Sequence, residues 1–136
     1  MRGLLVSISL IAATLCACQT TATSNAALVT ATTDDGLFTV ELRTLPTQPP
    51  PRAGAKLDVH VADAQGADVD GLTVEVVPWM PAMGHGASVN PTVTAQDHGH
   101  YLAEPLELAM AGTWQMRITL KKGAQESHVA PTLDVP

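Results

Sequence analysis

Two methionines and one histidine lie close together in a segment that cannot form a helix. The segment reads Trp-Met-Pro-Ala-Met-Gly-His-Gly over residues 79–86, so Met80, Met83 and His85 share one short loop. Pro81 and the preceding Pro78 stiffen the backbone, and the glycines on both sides of His85 allow it to turn tightly. Thioether sulfur is a soft ligand that selects Cu(I), whereas imidazole binds copper in either oxidation state. The spacing therefore predicts a copper site in this loop.

Three further side chains are candidates to complete such a site. His98 and His100 are two residues apart, so a strand would place both on one face. Met110 stands in a loop shortly before Trp114. The sequence does not show whether these side chains approach the loop. Met116 is different, because it is in phase with the apolar residues of its own strand and is therefore predicted to belong to the core.

The loop also has interpretations that involve no metal. Methionine is a flexible filler of hydrophobic cores, so Trp79 and Met80 could simply cover one end of the core. The same loop could dock a protein partner in the cell envelope, with Trp79 and Met80 as apolar anchors. Among the other histidines, His60 is expected to face solvent, and nothing in the pattern marks His128 as a ligand.

Composition and motifs disfavour catalysis and nucleic-acid binding. The sequence contains no nucleophile elbow, no His-Glu-x-x-His zinc motif and no phosphate-binding glycine loop. Glu104 and Glu107 could act as paired carboxylates, but acids on the exposed side of a strand explain them more simply. Seven basic against thirteen acidic residues give a net charge of −6, which excludes tracking of a nucleic-acid backbone. We therefore expect a binding domain rather than an enzyme.

The first eighteen residues have the pattern of a bacterial lipoprotein signal. Arg2 precedes an apolar run over residues 4–15, which is the length of a signal-peptide core and too short to span a bilayer. Leu15 and Ala17 stand three and one positions before Cys18, as in a lipobox. This pattern predicts cleavage after Ala17 and diacylglycerol on Cys18. An ordinary secretory signal with two incidental cysteines is the alternative.

Lipidation would leave the exported domain without a thiol. Cys16 leaves with the signal and acylation consumes the thiol of Cys18, so neither a disulfide nor a thiolate ligand is expected. Gln19 after the lipidated cysteine resembles the sorting pattern for the periplasmic face of the outer membrane in Gram-negative cells. The bilayer is thus the first expected partner. The predicted divisions are a signal peptide over 1–17, the lipidated cysteine with a flexible linker over 18–33, and a monomeric domain over 34–136.

Short alternating stretches separated by turn signals fill the domain. Such stretches predict strands over residues 37–43, 56–61, 72–77, 89–94, 100–106, 113–120 and 128–135. Seven short strands of this kind indicate an all-β, immunoglobulin-like antiparallel sandwich. Residues 105–111 also suit a short helix that begins at proline, but Gly112 would end it before two full turns. We therefore predict strand and loop in that segment.

A second motif supports the sandwich. Asp97, Gly99 and Tyr101 form an Asp-x-Gly-x-Tyr run at the start of a predicted strand. This run resembles the tyrosine corner of immunoglobulin domains, in which the phenol hydrogen-bonds the backbone at a turn between sheets. These three residues, together with an inward-facing Trp114, are predicted to have structural roles.

The combination of segments resembles the YtkA-like domain family, a group of small exported immunoglobulin-like domains that are often lipoproteins and are related in pattern to FixH proteins. The resemblance covers about residues 38–120, and its marks are the Met-Pro-x-Met-Gly-His loop, the Gly-x-Tyr strand and the Gly-x-Trp strand. It implies extracytoplasmic copper handling, by buffering or by delivery to a copper-accepting partner, or help in maturing respiratory oxidases. By position, it suggests Met80, Met83 and His85 as ligands, completed by Met110 and by His98 or His100.

Overall fold

Apolar and polar residues alternate along nearly every strand of the domain. The computed structural model describes residues 29–46 and 54–136. Over these residues the chain is all-β, without a helix, and its strands are β1 (Val29–Thr32), β2 (Phe38–Leu45), β3 (Ala55–Asp63), β4 (Thr73–Met80), β5 (His85–Gly86), β6 (Thr92–Ala95), β7 (His100–Leu106), β8 (Gly112–Lys122), β9 (Gln125–Val129) and β10 (Thr132–Val135). The loop predicted after Leu106 is confirmed, since residues 107–111 form no helix.

The strands form two antiparallel sheets of five strands each, which confirms the predicted sandwich. The first sheet has the order β1-β2-β3-β7-β6. In the second, β10, β8, β4 and β5 follow one another, and β9 pairs with β8. The segment 128–135, predicted as one edge strand, belongs to two strands that part around Pro131. β5 is also additional to the predicted set and forms the short return arm of the loop that contains Met83.

Inward-facing side chains of both sheets form one hydrophobic core. In β3 the period of two places Leu57, Val59 and Val61 inside, and all three are fully buried. In β8 the same period buries Trp114 and Met116, as predicted. Met116 is therefore a core residue and lies outside the candidate donor set.

The sandwich has two ends with different side chains. Tyr101, at the start of β7, hydrogen-bonds the chain at Leu72, just before β4 begins, whereas Met80 is the last residue of β4. At about 3.3 Å per residue, Leu72 and Met80 lie about 25 Å apart. We call the end with residues 63–72 and 96–101 the corner end, and the end with residues 80–91 and 107–112 the Met/His end.

The sandwich begins earlier than the sequence predicts. β1 covers Val29–Thr32, within the segment assigned to the flexible linker, and pairs with β2 over all four residues. The sequence pattern does not predict this strand, because most of its residues are small or polar. Backbone hydrogen bonds rather than apolar side chains hold it in the sheet. The predicted signal peptide, Cys18 and the earlier part of the linker lie outside the described residues. The described part of the chain contains no helix of the length and apolarity needed to span a membrane.

Candidate metal centre

A tight hairpin carries the candidate donors of the loop. Residues 81–84 connect β4 to β5, and the N–H groups of Met83 and Gly84 both donate to the carbonyl of Met80, at 3.1 and 3.0 Å. Gly84 has a φ of 69°, a left-handed conformation that suits glycine at the end of such a turn. The backbone therefore holds Met83 at the tip and returns the chain directly to His85.

Met80 and His85 face each other across this hairpin. They are register partners in the β4–β5 ladder, so their side chains lie on the same face with Cβ atoms about 4.5–5.5 Å apart. Their surroundings differ: Met80 is only 5% exposed and packs into the core, whereas His85 is exposed. Met83, at the tip between them, is 55% exposed. The hairpin thus has one buried thioether, one free thioether and one free imidazole.

The imidazole of His85 is oriented by its neighbour. Its Nδ1 lies 2.9 Å from the carbonyl oxygen of Gly86, which is an acceptor only, so the Nδ1–H must donate. This tautomer leaves the lone pair of Nε2 available. A metal-binding histidine typically has its other ring nitrogen hydrogen-bonded in this way, because the bond fixes the ring and makes the ligating nitrogen more basic.

Met110 lies at the same end of the sandwich. Its carbonyl accepts the indole N–H of buried Trp114 at 2.9 Å, and its side chain packs partly buried against the core. Gly112, two residues later, lies against Met80: a Cβ at this glycine would approach the Met80 methyl carbon to 2.7 Å. The absence of a side chain at Gly112 thus allows the buried thioether to lie next to the Met110 loop.

His98 and His100 lie at the corner end, about 25 Å from the hairpin at 3.3 Å per residue. His98 stands in a turn with a φ of 58°, so the two histidines do not share the face of a strand as the spacing suggested. The Nδ1 of His100 lies 2.9 Å from a carboxylate oxygen of Asp58. The structure therefore brings Met80, Met83, His85 and Met110 to one end and leaves both of these histidines out.

His60 has neighbours that the sequence pattern did not predict. It does not simply face solvent: its ring stacks on that of His100 with centroids 4.5 Å apart, and its Nε2 lies 2.8 Å from Asp68. Glu41 and Asp58 flank the same pair. The signal lies in strand register, because His60 and His100 are directly opposite on β3 and β7. Even so, no three His, Cys, Asp or Glu side chains within residues 29–46 and 54–136 are arranged to hold a metal ion.

The tyrosine corner is present at the other end of the molecule from the hairpin. The buried hydroxyl of Tyr101 donates to the carbonyl of Val69 at 2.7 Å and accepts the N–H of Leu72 at 3.1 Å. Burial raises the pKa of this phenol, so it remains a neutral donor. These bonds hold the chain before β4 against β7.

The acidic partner of the corner is not the residue that the motif suggested. The Gly99 N–H donates to the carboxylate of Asp70 at 2.7 Å, while Asp97 contributes its backbone carbonyl to His100. Gly99 is required because it has a φ of 72° and a Cβ there would approach the Val61 carbonyl oxygen to 2.6 Å. Asp70 is 29 residues away in the chain, so a local motif could not reveal it.

Comparison with known proteins assigns the chain to a family. The model of the YtkA-like family matches residues 38–119. The chain belongs to the YtkA-like family. The matched stretch of this YtkA-like protein contains both the hairpin with its candidate donors and the tyrosine corner. No curated protein and no solved structure gives a significant match.

Proposed function

We propose that this YtkA-like protein is an exported, lipid-anchored domain that binds Cu(I) at its Met/His end and buffers the ion or passes it to a partner. The proposed donors are the Met83 sulfur and the His85 Nε2, with the Met80 sulfur beneath them. Met110 is the further donor within the same end. Lipidation of Cys18 would anchor the domain to the bilayer.

The observation that supports this proposal most strongly is the orientation of His85. Its Nδ1 bonds to the Gly86 carbonyl, so its Nε2 is free on the face of the hairpin that it shares with Met80. With the Met80 thioether opposite the imidazole in register and the Met83 thioether two residues before it, the hairpin offers a soft, neutral donor set. Cu(I) accepts such a set with two or three ligands in place.

The chemistry of the neighbourhood favours Cu(I) over harder cations. Residues 80–91 include no aspartate and no glutamate, so no carboxylate of this segment could hold Mg²⁺, Ca²⁺ or Mn²⁺. The only nitrogen ligand in the segment is one imidazole, which is few for Cu(II) or Zn²⁺. Thioether sulfur therefore has to supply most of the affinity, and Cu(I) is the ion for which it does so.

Two contacts weigh against the alternative in which Trp79 and Met80 anchor a protein partner. Met80 packs into the core and offers almost no surface. The guanidinium carbon of Arg117 lies 4.4 Å from the ring centroid of Trp79, a cation–π contact that covers one face of the indole. An anchor residue fills a pocket on the partner, and neither side chain is presented for that.

A competition experiment with a chromogenic Cu(I) chelator such as bicinchoninate tests metal binding. We expect the wild-type protein to withdraw one Cu(I), and the double variant Met83→Leu with His85→Gln to lose this ability. Loss of an orienting partner alone typically costs 10–100-fold in metal affinity, so loss of two donors should cost at least about 100-fold. His98→Gln is the matched control, because it removes an exposed imidazole at the corner end. Equal Cu(I) affinity in all three proteins would contradict the proposal.

The lipid anchor is tested separately by mass spectrometry of protein recovered from its own membranes. We expect an N-terminal Cys18 that carries acyl chains, and release of a Cys18→Ala protein into the soluble fraction. An unmodified cysteine in membrane-derived protein would contradict the anchor and leave the copper proposal to its own test.

A further inference from the structure

The two ends of the sandwich differ sharply in charge. The loops of the corner end contain six aspartates, in the turn after β1, in the loop before β4 and in the loop before β7: Asp34, Asp35, Asp63, Asp68, Asp70 and Asp97. At the Met/His end, residues 80–91 contain no Asp, Glu, Lys or Arg, residues 107–112 add only Glu107, and Asp134 on β10 stands opposite Thr113. Lys56 and Glu104 at this end form an ion pair with each other at 2.6 Å. Lys121, Lys122 and Glu126 also lie at the corner end, which leaves most of the negative charge far from the hairpin.

Exposed apolar side chains have the opposite distribution. Among the described residues, Leu37, Leu45, Met83 and Val89 are the exposed large hydrophobic residues. Leu45 is the last residue of β2, and Met83 and Val89 lie in the loops on the two sides of β5, so these three are at the Met/His end. Their exposed fractions are 47%, 55% and 47%. One end of the domain thus presents exposed apolar side chains and has little net charge, while the other is acidic.

The described chain begins near the middle of the first sheet. The start of β1, Val29, pairs with Leu42, and Leu42 pairs with Val59 in the middle of β3, so the chain joins this sheet about 10 Å from the Met/His end of β2. Ten residues lie between Cys18 and Val29, which makes eleven Cα–Cα steps. At a full extension of about 3.5 Å per residue they span at most about 40 Å. This reach is long enough for the Met/His end to meet the bilayer.

We infer that the Met/His end rests on the bilayer in which Cys18 is anchored, so that the copper hairpin faces the lipid headgroups. The inference rests on the lipid anchor of the proposed function. Leu45, Met83 and Val89 make the contact, and the aspartates of the corner end point away from anionic lipid, which would repel them. The site would then exchange Cu(I) with a protein embedded in that membrane. Docking of the same apolar end on a soluble protein is the outcome that the test must distinguish.

Quenching of site-specific probes by spin-labelled lipid tests the orientation. The lipidated protein is reconstituted without copper into vesicles of phosphatidylethanolamine and phosphatidylglycerol that contain headgroup spin-labelled phosphatidylcholine. A fluorophore is attached to Ser88→Cys at the Met/His end or to Ala64→Cys at the corner end, both in exposed turns. We expect strong quenching at position 88 and little at position 64. Val89→Asp in the first protein should reduce the quenching, because it brings a charge to the contact.

Two results would overturn the inference. One is equal quenching at both positions, which would mean that the domain tumbles freely on its linker or docks on something other than lipid. The other is recovery of the protein without acyl chains, because the anchor would then be absent. Copper binding is measured separately, so quenching at position 88 with no Cu(I) binding would refute the copper site alone. Cu(I) binding with equal quenching would refute the orientation alone.

Discussion

The corner end and the Met/His end of this YtkA-like protein are built in different ways. At the corner end, side chains bond to backbone over long separations, as Tyr101 does to Val69 and Asp70 does to Gly99. At the Met/His end, the turn is closed by its own backbone, through the N–H groups of Met83 and Gly84. Side chains at the corner end thus hold the fold, while Met83 and His85 at the other end remain exposed.

The difference predicts losses of different size from the same substitution at the two ends. Gly99 and Gly84 both have positive φ, at 72° and 69°, but a Cβ at Gly99 would meet backbone at 2.6 Å and a Cβ at Gly84 would meet nothing within 4 Å. Gly84→Ala should cost only the left-handed conformation, about 1–2 kcal/mol. Gly99→Ala adds a backbone clash and should cost more than about 4 kcal/mol. Urea unfolding followed by tryptophan fluorescence measures both, and equal losses would remove the distinction between the ends.

A second pair of substitutions compares a side chain that holds the fold with one that is exposed. Tyr101→Phe leaves the buried carbonyl of Val69 and the N–H of Leu72 without their partner, at about 1–3 kcal/mol for each unsatisfied group. Met83→Leu changes an exposed side chain and should alter the free energy of unfolding by less than about 0.5 kcal/mol. Circular dichroism melts of the two variants provide the comparison. A Tyr101→Phe protein as stable as the wild type would show that the corner is dispensable.

The loss of stability at acid pH should also depend on a residue at the corner end. Hydrogen bonds from Ser127, and then from Thr33, lower the pKa of Asp35 from its usual 3.8 to about 2. Because the folded state holds the ionised carboxylate, its contribution to stability is complete above pH 3.8 and is lost as the pH falls towards about 2. Asp35→Asn should therefore flatten the dependence of unfolding free energy on pH between about 4 and 2. An unchanged pH profile in this variant would contradict the assignment.

The sequence was most informative where the determinant is local. Alternation in β3 and β8 located the core, including Met116, because burial of one face of a strand requires a period of two. It was less informative where the partner is distant. Asp70, rather than Asp97, bonds Gly99, and His60 stacks on His100, because contacts between strands depend on register. Register is set by the turns and the core together and cannot be read from either strand alone.

The same distinction applies to the candidate site. Met80, Met83 and His85 were recognised together because one hairpin positions them. Whether the downstream residues joined them depended on topology: Met110 returns to the Met/His end, whereas His98 and His100 start β7 at the opposite end. A spacing pattern contains no information on which end of a sandwich a later loop will reach.

The central claim, that copper binds at the Met/His end, is tested most directly by NMR of protein with ¹³C-labelled methionine methyl groups during an anaerobic Cu(I) titration. Met116 is fully buried in the core and serves as the internal control. We predict that the Met83 methyl resonance shifts most, that Met80 and Met110 shift less, and that Met116 stays in place. Methyl resonances that do not move, or a shift of Met116 as large as that of Met83, would contradict the account.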